Sequence, residues 1–268
     1  LTGVNLLSAR SYGEFEFWLS SIKVAAILVF IVIAAAFVFG LTSGTGPTFS
    51  NLTAHGGFMP HGPVAVLAGV TSVIFALTGA EIATVAAAES ADGAGTVARM
   101  TLTVAVRILI FYILSISLIV AAVPWTTIVS GLSPFATALD SMHVPGGGLV
   151  MTAVVLVAVL SCLNSGLYVT SRVLFGLAAQ GDAPKSLVAV NRRQVPARSI
   201  LLGSLFSYAA LGASVVSPEI GFAFLVNASG AIMVVIYLLI AFAQIRLRNR
   251  MAAEGRQPAL KMWFHPWG

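Results

Sequence analysis

Two ionisable side chains, Lys23 and Glu81, stand inside apolar runs of this chain. A charge at bilayer depth costs at least about 2.5–3.5 kcal/mol and marks function by default. Lys23 lies about 7–8 residues into its run, roughly 10 Å at 1.5 Å per residue. Its stem could snorkel back to the interface. Alternatively it points into a helix bundle, where desolvation disfavours an ammonium and the amine can take and release a proton. Glu81 ends the run Val73-Ile74-Phe75-Ala76-Leu77-Thr78-Gly79-Ala80-Glu81. A glycine costs about 1 kcal/mol against alanine in a helix interior. A helix broken at Thr78-Gly79 would free backbone N–H and C=O groups, tolerated at membrane depth only where they line a cavity or meet a ligand. The positive end of the second half-helix would suit a carboxylate. The alternative is a continuous helix with a notch of small residues. Glu81 could cap the freed N–H groups, titrate or touch a ligand. Glu89 reads as a solvated residue at the interface.

Another run carries Ser161, Asn164, Ser165, Tyr168, Thr170 and Ser171, and a later one Asn227, Ser229 and Gly230. Such groups either bond between helices or line a polar cavity. Enzymatic hydrolysis would need an activated nucleophile with a base in reach. His55, His61, His143 and His265 all fall in loops or the tail, and no metal-ligand cluster or phosphate-binding loop appears in the sequence. Nothing resembles the selectivity filter of a channel. The single cysteine, Cys162, reads as a small buried packing residue, and no cofactor is implied.

The elements that position these residues follow from composition. Of 268 residues 58% are apolar and 9% charged, with a mean hydropathy of +0.98. Soluble domains carry roughly 25% charged residues, and disorder needs high charge with low hydrophobicity. The composition therefore predicts an all-α, polytopic membrane protein. Stretches of about 20 apolar residues cross a bilayer. Six are present, near 15–40, 64–88, 107–123, 149–180, 200–216 and 220–245. Residues 260–268 read as the start of a further span, and 1–268 as one transmembrane domain. Leu1–Leu7 reads as the stub of an earlier span, so the chain is expected to be a piece of a longer protein.

The charges sort by side. Under strict alternation all 14 basic residues fall in the same compartment. The loops 41–63 and 124–148 contain no Lys or Arg, whereas 181–199 holds Lys185, Arg192, Arg193 and Arg198. The positive-inside rule places both ends in the cytoplasm. The pI near 9.8 thus orients helices and needs no nucleic acid partner. Two loop segments read as amphipathic helices along the membrane surface. One carries Val97, Met100, Val104 and Ile108 at helical spacing. The other starts with Ser133 as N-cap and Pro134 as first helical residue, so that Phe135, Leu139 and Met142 share a face. Asn51-Leu52-Thr53 matches a glycosylation sequon, better read as a plain polar loop.

At several points the residues match a known pattern. Ser11–Trp18 with Ile22-Lys23-Val24, Phe75–Glu81 with Ala86–Ser90, Ser161–Tyr168 with Ser171-Arg172, Gly181–Pro184, Asn227–Ala231 and Pro266-Trp267 occur in order along the chain. With these stretches it resembles the amino acid permeases of the amino acid–polyamine–organocation superfamily, specifically their amino acid transporter family. The Ser161–Tyr168 run, Ala80-Glu81-Ile82 and Met262-Trp263 look most like the 4-aminobutyrate (GABA) permeases. The resemblance implies a twelve-span transporter with a LeuT-like inverted repeat, of which this chain supplies the fifth to tenth spans. It implies that the second span here is the broken sixth of the fold, and that Phe75, Ala76, Leu77, Thr78 and Gly79 touch a small amino acid. It further implies that Lys23 occupies the equivalent of a sodium site and fits proton coupling. Glu81, Asn164 and Ser165 are the other polar candidates inside the membrane. Two departures stand out. Leu77 replaces a more usual aromatic residue or glycine, and Gly93 a more usual proline. The expected function is proton-coupled import of GABA or a similar amino acid across the plasma membrane by alternating access. An exchanger without proton drive is the alternative, and an intramembrane enzyme a remote one.

Overall fold

In hydrocarbon every backbone N–H and C=O must be bonded within the protein, and a helix does this within one segment. The computed structural model describes residues 1–42, 48–77, 79, 103, 106–129, 131–216 and 218–255, and among them the regular elements are all helical. In chain order they are α1 (Thr2–Leu7), α2 (Ala9–Val38), α3 (Asn51–Ala54), α4 (Gly62–Leu77), α5 (Ser115–Ala122), α6 (Pro134–Ser141), α7 (Gly147–Gln180), α8 (Ala197–Val216) and α9 (Pro218–Ala253). Among the described residues, four stretches are long and apolar enough to cross a membrane: Arg10–Val38, Gly147–Gln180, Ala197–Val215 and Phe224–Ala253. Val106–Ala122 is a shorter apolar helix. The chain is a multi-pass, all-α membrane protein, and its long helices leave Phe17, Trp18, Val32, Leu205, Phe206 and Phe242 exposed.

The chain divides into two compact units. The first comprises Leu1–Pro60 and Arg107–Ala210. Here Ser8 breaks α1 from α2 with extended backbone (φ −162°, ψ 161°), and its Oγ accepts from the Ser11 N–H at 3.0 Å. This N-cap starts α2 at Ala9, ahead of the apolar run near 15, because capping rather than hydropathy sets a helix start. Helices α2 and α7 lie antiparallel, with Tyr12 meeting Ser165 and Lys23 meeting Ser161. At the far end of α2, Phe30, Ala34, Phe37 and Val38 are buried in one cluster with Leu118, Ile119 and Ala122 of α5, Leu139 of α6, Met142 just after it, and Met151 of α7.

The short helix α6 closes this cluster. As the sequence predicts, Pro134 is its first residue and Ser133 its N-cap, accepting from the Ala136 N–H. Its apolar face turns inward, and the Phe135 ring meets Phe30 edge-on at 4.9 Å. Asn51 of the Asn51-Leu52-Thr53 stretch donates to the Ala121 carbonyl at 2.9 Å, satisfying an acceptor at the end of α5. A π-helical turn, Leu109–Leu114, precedes α5, and the Ser115 hydroxyl bonds the Phe111 carbonyl within it. Nothing in the apolar Leu-Ile-Phe-Tyr-Ile-Leu sequence marks that widened turn. Gly203 lets α8 approach α7, since a Cβ there would stand 3.2 Å from Leu167 Cδ1. Small residues permit such close approach between membrane helices.

The second unit comprises His61–Val106 and Leu211–Gly268. In it α4 packs on α9. Helix α9 extends to Ala253, beyond the expected end near 245. Its last turns are closed by an Arg250–Glu254 pair at 3.0 Å. Arginine near a helix C-terminus also complements the helix dipole. Helix α4 ends at Leu77, and Gly79 has φ +115°, outside the helical region. Val97, Met100 and Val104 of the expected surface helix, and residues 260–268, lie outside the described residues.

Candidate functional site

Helix α7 carries a polar stripe. Ser161, Asn164, Tyr168 and Ser171 recur at three- and four-residue spacing, which places them on one face. All four are buried. Opposite them α2 presents Tyr12, Glu16 and Lys23, again at spacings close to whole turns. The contact between the two helices is thus polar at this level and apolar near Phe30.

Lys23 points into this contact. Its Nζ donates to Ser161 Oγ at 2.6 Å and lies 3.7 Å from Glu16 Oε1. The two charged side chains are 24% and 21% exposed, so the lysine is engaged between helices rather than snorkelling. Ser161 uses its hydroxyl twice, accepting from Lys23 and donating to Glu16 Oε1. The second carboxylate oxygen, Glu16 Oε2, accepts from Asn164 Nδ2 at 3.3 Å. The Asn164 carbonyl in turn accepts from Asn5 Nδ2 at 2.8 Å. Asn5 is itself buried on α1. A continuous hydrogen-bonded chain therefore runs Lys23–Ser161–Glu16–Asn164–Asn5 and ties three helices together. Hydrogen bonds with an ionised partner are the stronger kind.

One turn earlier on α2 the contact is aromatic. Tyr12 stacks on Tyr168 with ring centroids 4.1 Å apart and planes 10° from parallel. The Arg172 guanidinium lies 3.7 Å from the Tyr168 ring centre. The Tyr12 hydroxyl donates to Ser165 Oγ at 3.1 Å. Cation, ring and ring form one column joining α2 to α7.

The structure brings three of the expected site residues together in the first unit: Lys23, Asn164 and Ser165. Glu16 joins them without having been singled out from the sequence. The available signal was its spacing, seven residues before Lys23 and hence two turns away on the same face. In the second unit, Phe75, Ala76 and Leu77 form the last residues of α4, and Gly79 follows with its positive φ. Thr78 and Glu81 lie outside the described residues. On α9, Asn227 is exposed, Ser229 half-buried and Gly230 buried.

Comparison with known proteins covers the whole chain. The profile of a family described as "Amino acid permease" matches residues 1–268. The gamma-aminobutyric acid permease of Bacillus subtilis is 42% identical over 269 residues, covering 100% of this chain and 57% of the relative. The gamma-aminobutyric acid permease of Escherichia coli K12 is 41% identical over 273 residues, covering 100% and 58%. The aromatic amino acid transport protein AroP of Corynebacterium glutamicum is 36% identical over 271 residues, covering 98% and 58%. The chain thus spans less than two thirds of the length of these relatives. No solved structure matches it.

Proposed function

The chain belongs to the amino acid permease family, and from that premise we propose that it serves proton-coupled import of GABA or a similar small amino acid. The observation that carries this reading is Lys23, a cation lodged between two helices with Nζ on Ser161. An ammonium can fill the place of a metal cation and, unlike one, can give up a proton to water. The reading takes the protein to be a plasma-membrane importer working by alternating access, with both ends of this chain cytoplasmic. The substrate is a zwitterion. Its amine is suited to the carbonyl end of α4, which ends at Leu77 before Gly79 with its φ of +115°. Its carboxylate is suited to backbone N–H groups at the start of a helix segment. Phe75, Ala76, Leu77 and Thr78 complete that substrate contact in this reading.

The test uses the full-length permease in proteoliposomes. With an inward pH gradient and no internal substrate, radiolabelled GABA accumulates, and unlabelled GABA competes better than phenylalanine. Lys23→Ala abolishes that accumulation and spares exchange of external for internal substrate. Exchange of external for internal substrate, with no accumulation under the pH gradient, would establish the exchanger instead. Better competition by phenylalanine would move the substrate to the aromatic class that names the AroP relative.

A further inference from the structure

Between Lys23 and the stripe on α7 stands a carboxylate to which the proposed function gives no part. We infer that Glu16 is the positioning residue of the coupling site, holding the Lys23 ammonium against Ser161 so that the lysine proton is kept at one place on the α2–α7 contact. The inference rests on the reading of Lys23 as the coupling residue.

The geometry supports it in three steps. A lysine has four flexible methylenes and no intrinsic reason to lie against one serine. Glu16, on the same face of α2, supplies a reason, with Oε1 at 3.7 Å from Nζ and the Ser161 hydroxyl bridging the two. The carboxylate is itself pinned, because each oxygen has its own donor, Ser161 for Oε1 and Asn164 for Oε2. Asn164 cannot turn to present its carbonyl to Glu16 without breaking the bond that Asn5 makes to it at 2.8 Å. The amide chain therefore fixes the acid, and the acid fixes the base.

Among the described residues, Glu16 and Lys23, both of α2, form an ion pair that lies against α7 at Ser161. Arg10 and Glu14 pair with each other at 3.1 Å on the outer face of α2, 88% and 66% exposed. Tyr12 faces Ser165, and Arg172 of α7 lies over the Tyr168 ring. Cys162 is exposed. Helix α1 has no acid or base in its sequence and contributes the amide of Asn5. When the ammonium loses its proton to water, the carboxylate faces a neutral amine and the attraction that holds Nζ against Ser161 is gone, while Ser161 and Asn164 still donate to Glu16. The serine hydroxyl then has no cation to accept from. Reprotonation restores the contact.

The experiment compares two readouts on the full-length permease in proteoliposomes, using radiolabelled GABA. Glu16→Gln keeps the shape and removes the charge. It is expected to lower pH-driven accumulation by about tenfold or more, the size of a lost charge-assisted hydrogen bond. Exchange without a gradient is expected to stay within about twofold, on the same grounds that spare it in Lys23→Ala. Glu16→Asp is expected to recover at least half of the driven accumulation. Equal loss of accumulation and exchange in Glu16→Gln, with no recovery in Glu16→Asp, would make Glu16 structural and overturn the inference. Unchanged accumulation in Glu16→Gln would overturn it too. If Lys23→Ala accumulates normally, the coupling role of the lysine fails first, and that result is separate from either outcome at Glu16.

Discussion

Asn164 is the residue whose orientation the rest of the polar chain depends on. Its amide gives a hydrogen to Glu16 and takes one from Asn5, and it is fully buried. Asn164→Leu keeps the volume and leaves Asn5 and Glu16 each short of a partner. Stranding a buried polar group costs about 1–3 kcal/mol, so the thermal midpoint of the detergent-solubilised permease should fall. Asn164→Asp sets a second carboxylate beside Glu16, and two like charges that close resist being ionised together. At pH 7 its midpoint should lie below that of Asn164→Leu. At pH 5, where one of the two acids can take a proton, the gap should narrow. A gap that stays constant between the two pH values would refute the contact. Asn164 and Lys23 are legible in the sequence because polar groups inside apolar runs stand out. Glu16 is hard to read because it falls in the polar opening of α2, where a carboxylate is expected to meet water. Only the arrival of α7 reveals that it faces inward.

At the level of elements, α6 and the far end of α2 are held by a common apolar cluster. Phe30 is 1% exposed and has Phe135 of α6 edge-on against it. Phe30→Ala removes the ring from beneath α6 and should destabilise the protein by about 3 kcal/mol, measured as loss of thermal midpoint in detergent. Phe30→Leu should recover most of it, and a silent Phe30→Ala would mean that α6 is held by other contacts. The helices themselves are readable from length and hydropathy, and α6 from a serine-proline start with apolar residues at helical spacing. Their ends are less so. Helix α2 begins at a serine cap that hydropathy ignores, and α9 continues through Arg246, Arg248 and Arg250 because charged arginines are still good helix formers. The π-helical turn before α5 leaves no trace in its residue types, since a shift of one hydrogen-bond register needs no special side chain.

For the whole molecule, the distribution of basic residues implies an orientation that labelling can test. In a cysteine-free background, His143→Cys stands in the loop after α6 and Ser186→Cys in the basic loop after α7, both at exposed positions. A membrane-impermeant thiol reagent on intact cells should label the first and reach the second only after permeabilisation. The reverse pattern would invert the topology. Within the first unit, α2 is joined to α7 by two contacts of different chemistry. The column of Arg172, Tyr168 and Tyr12 uses side-chain types that do not change charge near neutral pH. The contact further along uses an acid and a base. Tyr12 and Lys23 are 11 residues apart, about 16 Å along a helix. A proton arriving or leaving would change the lysine's hold on Ser161 and leave the aromatic column as it is. Since Ser161 and Asn164 still donate to Glu16, α2 stays clasped to α7 at both levels, and the lysine side chain moves against a standing frame.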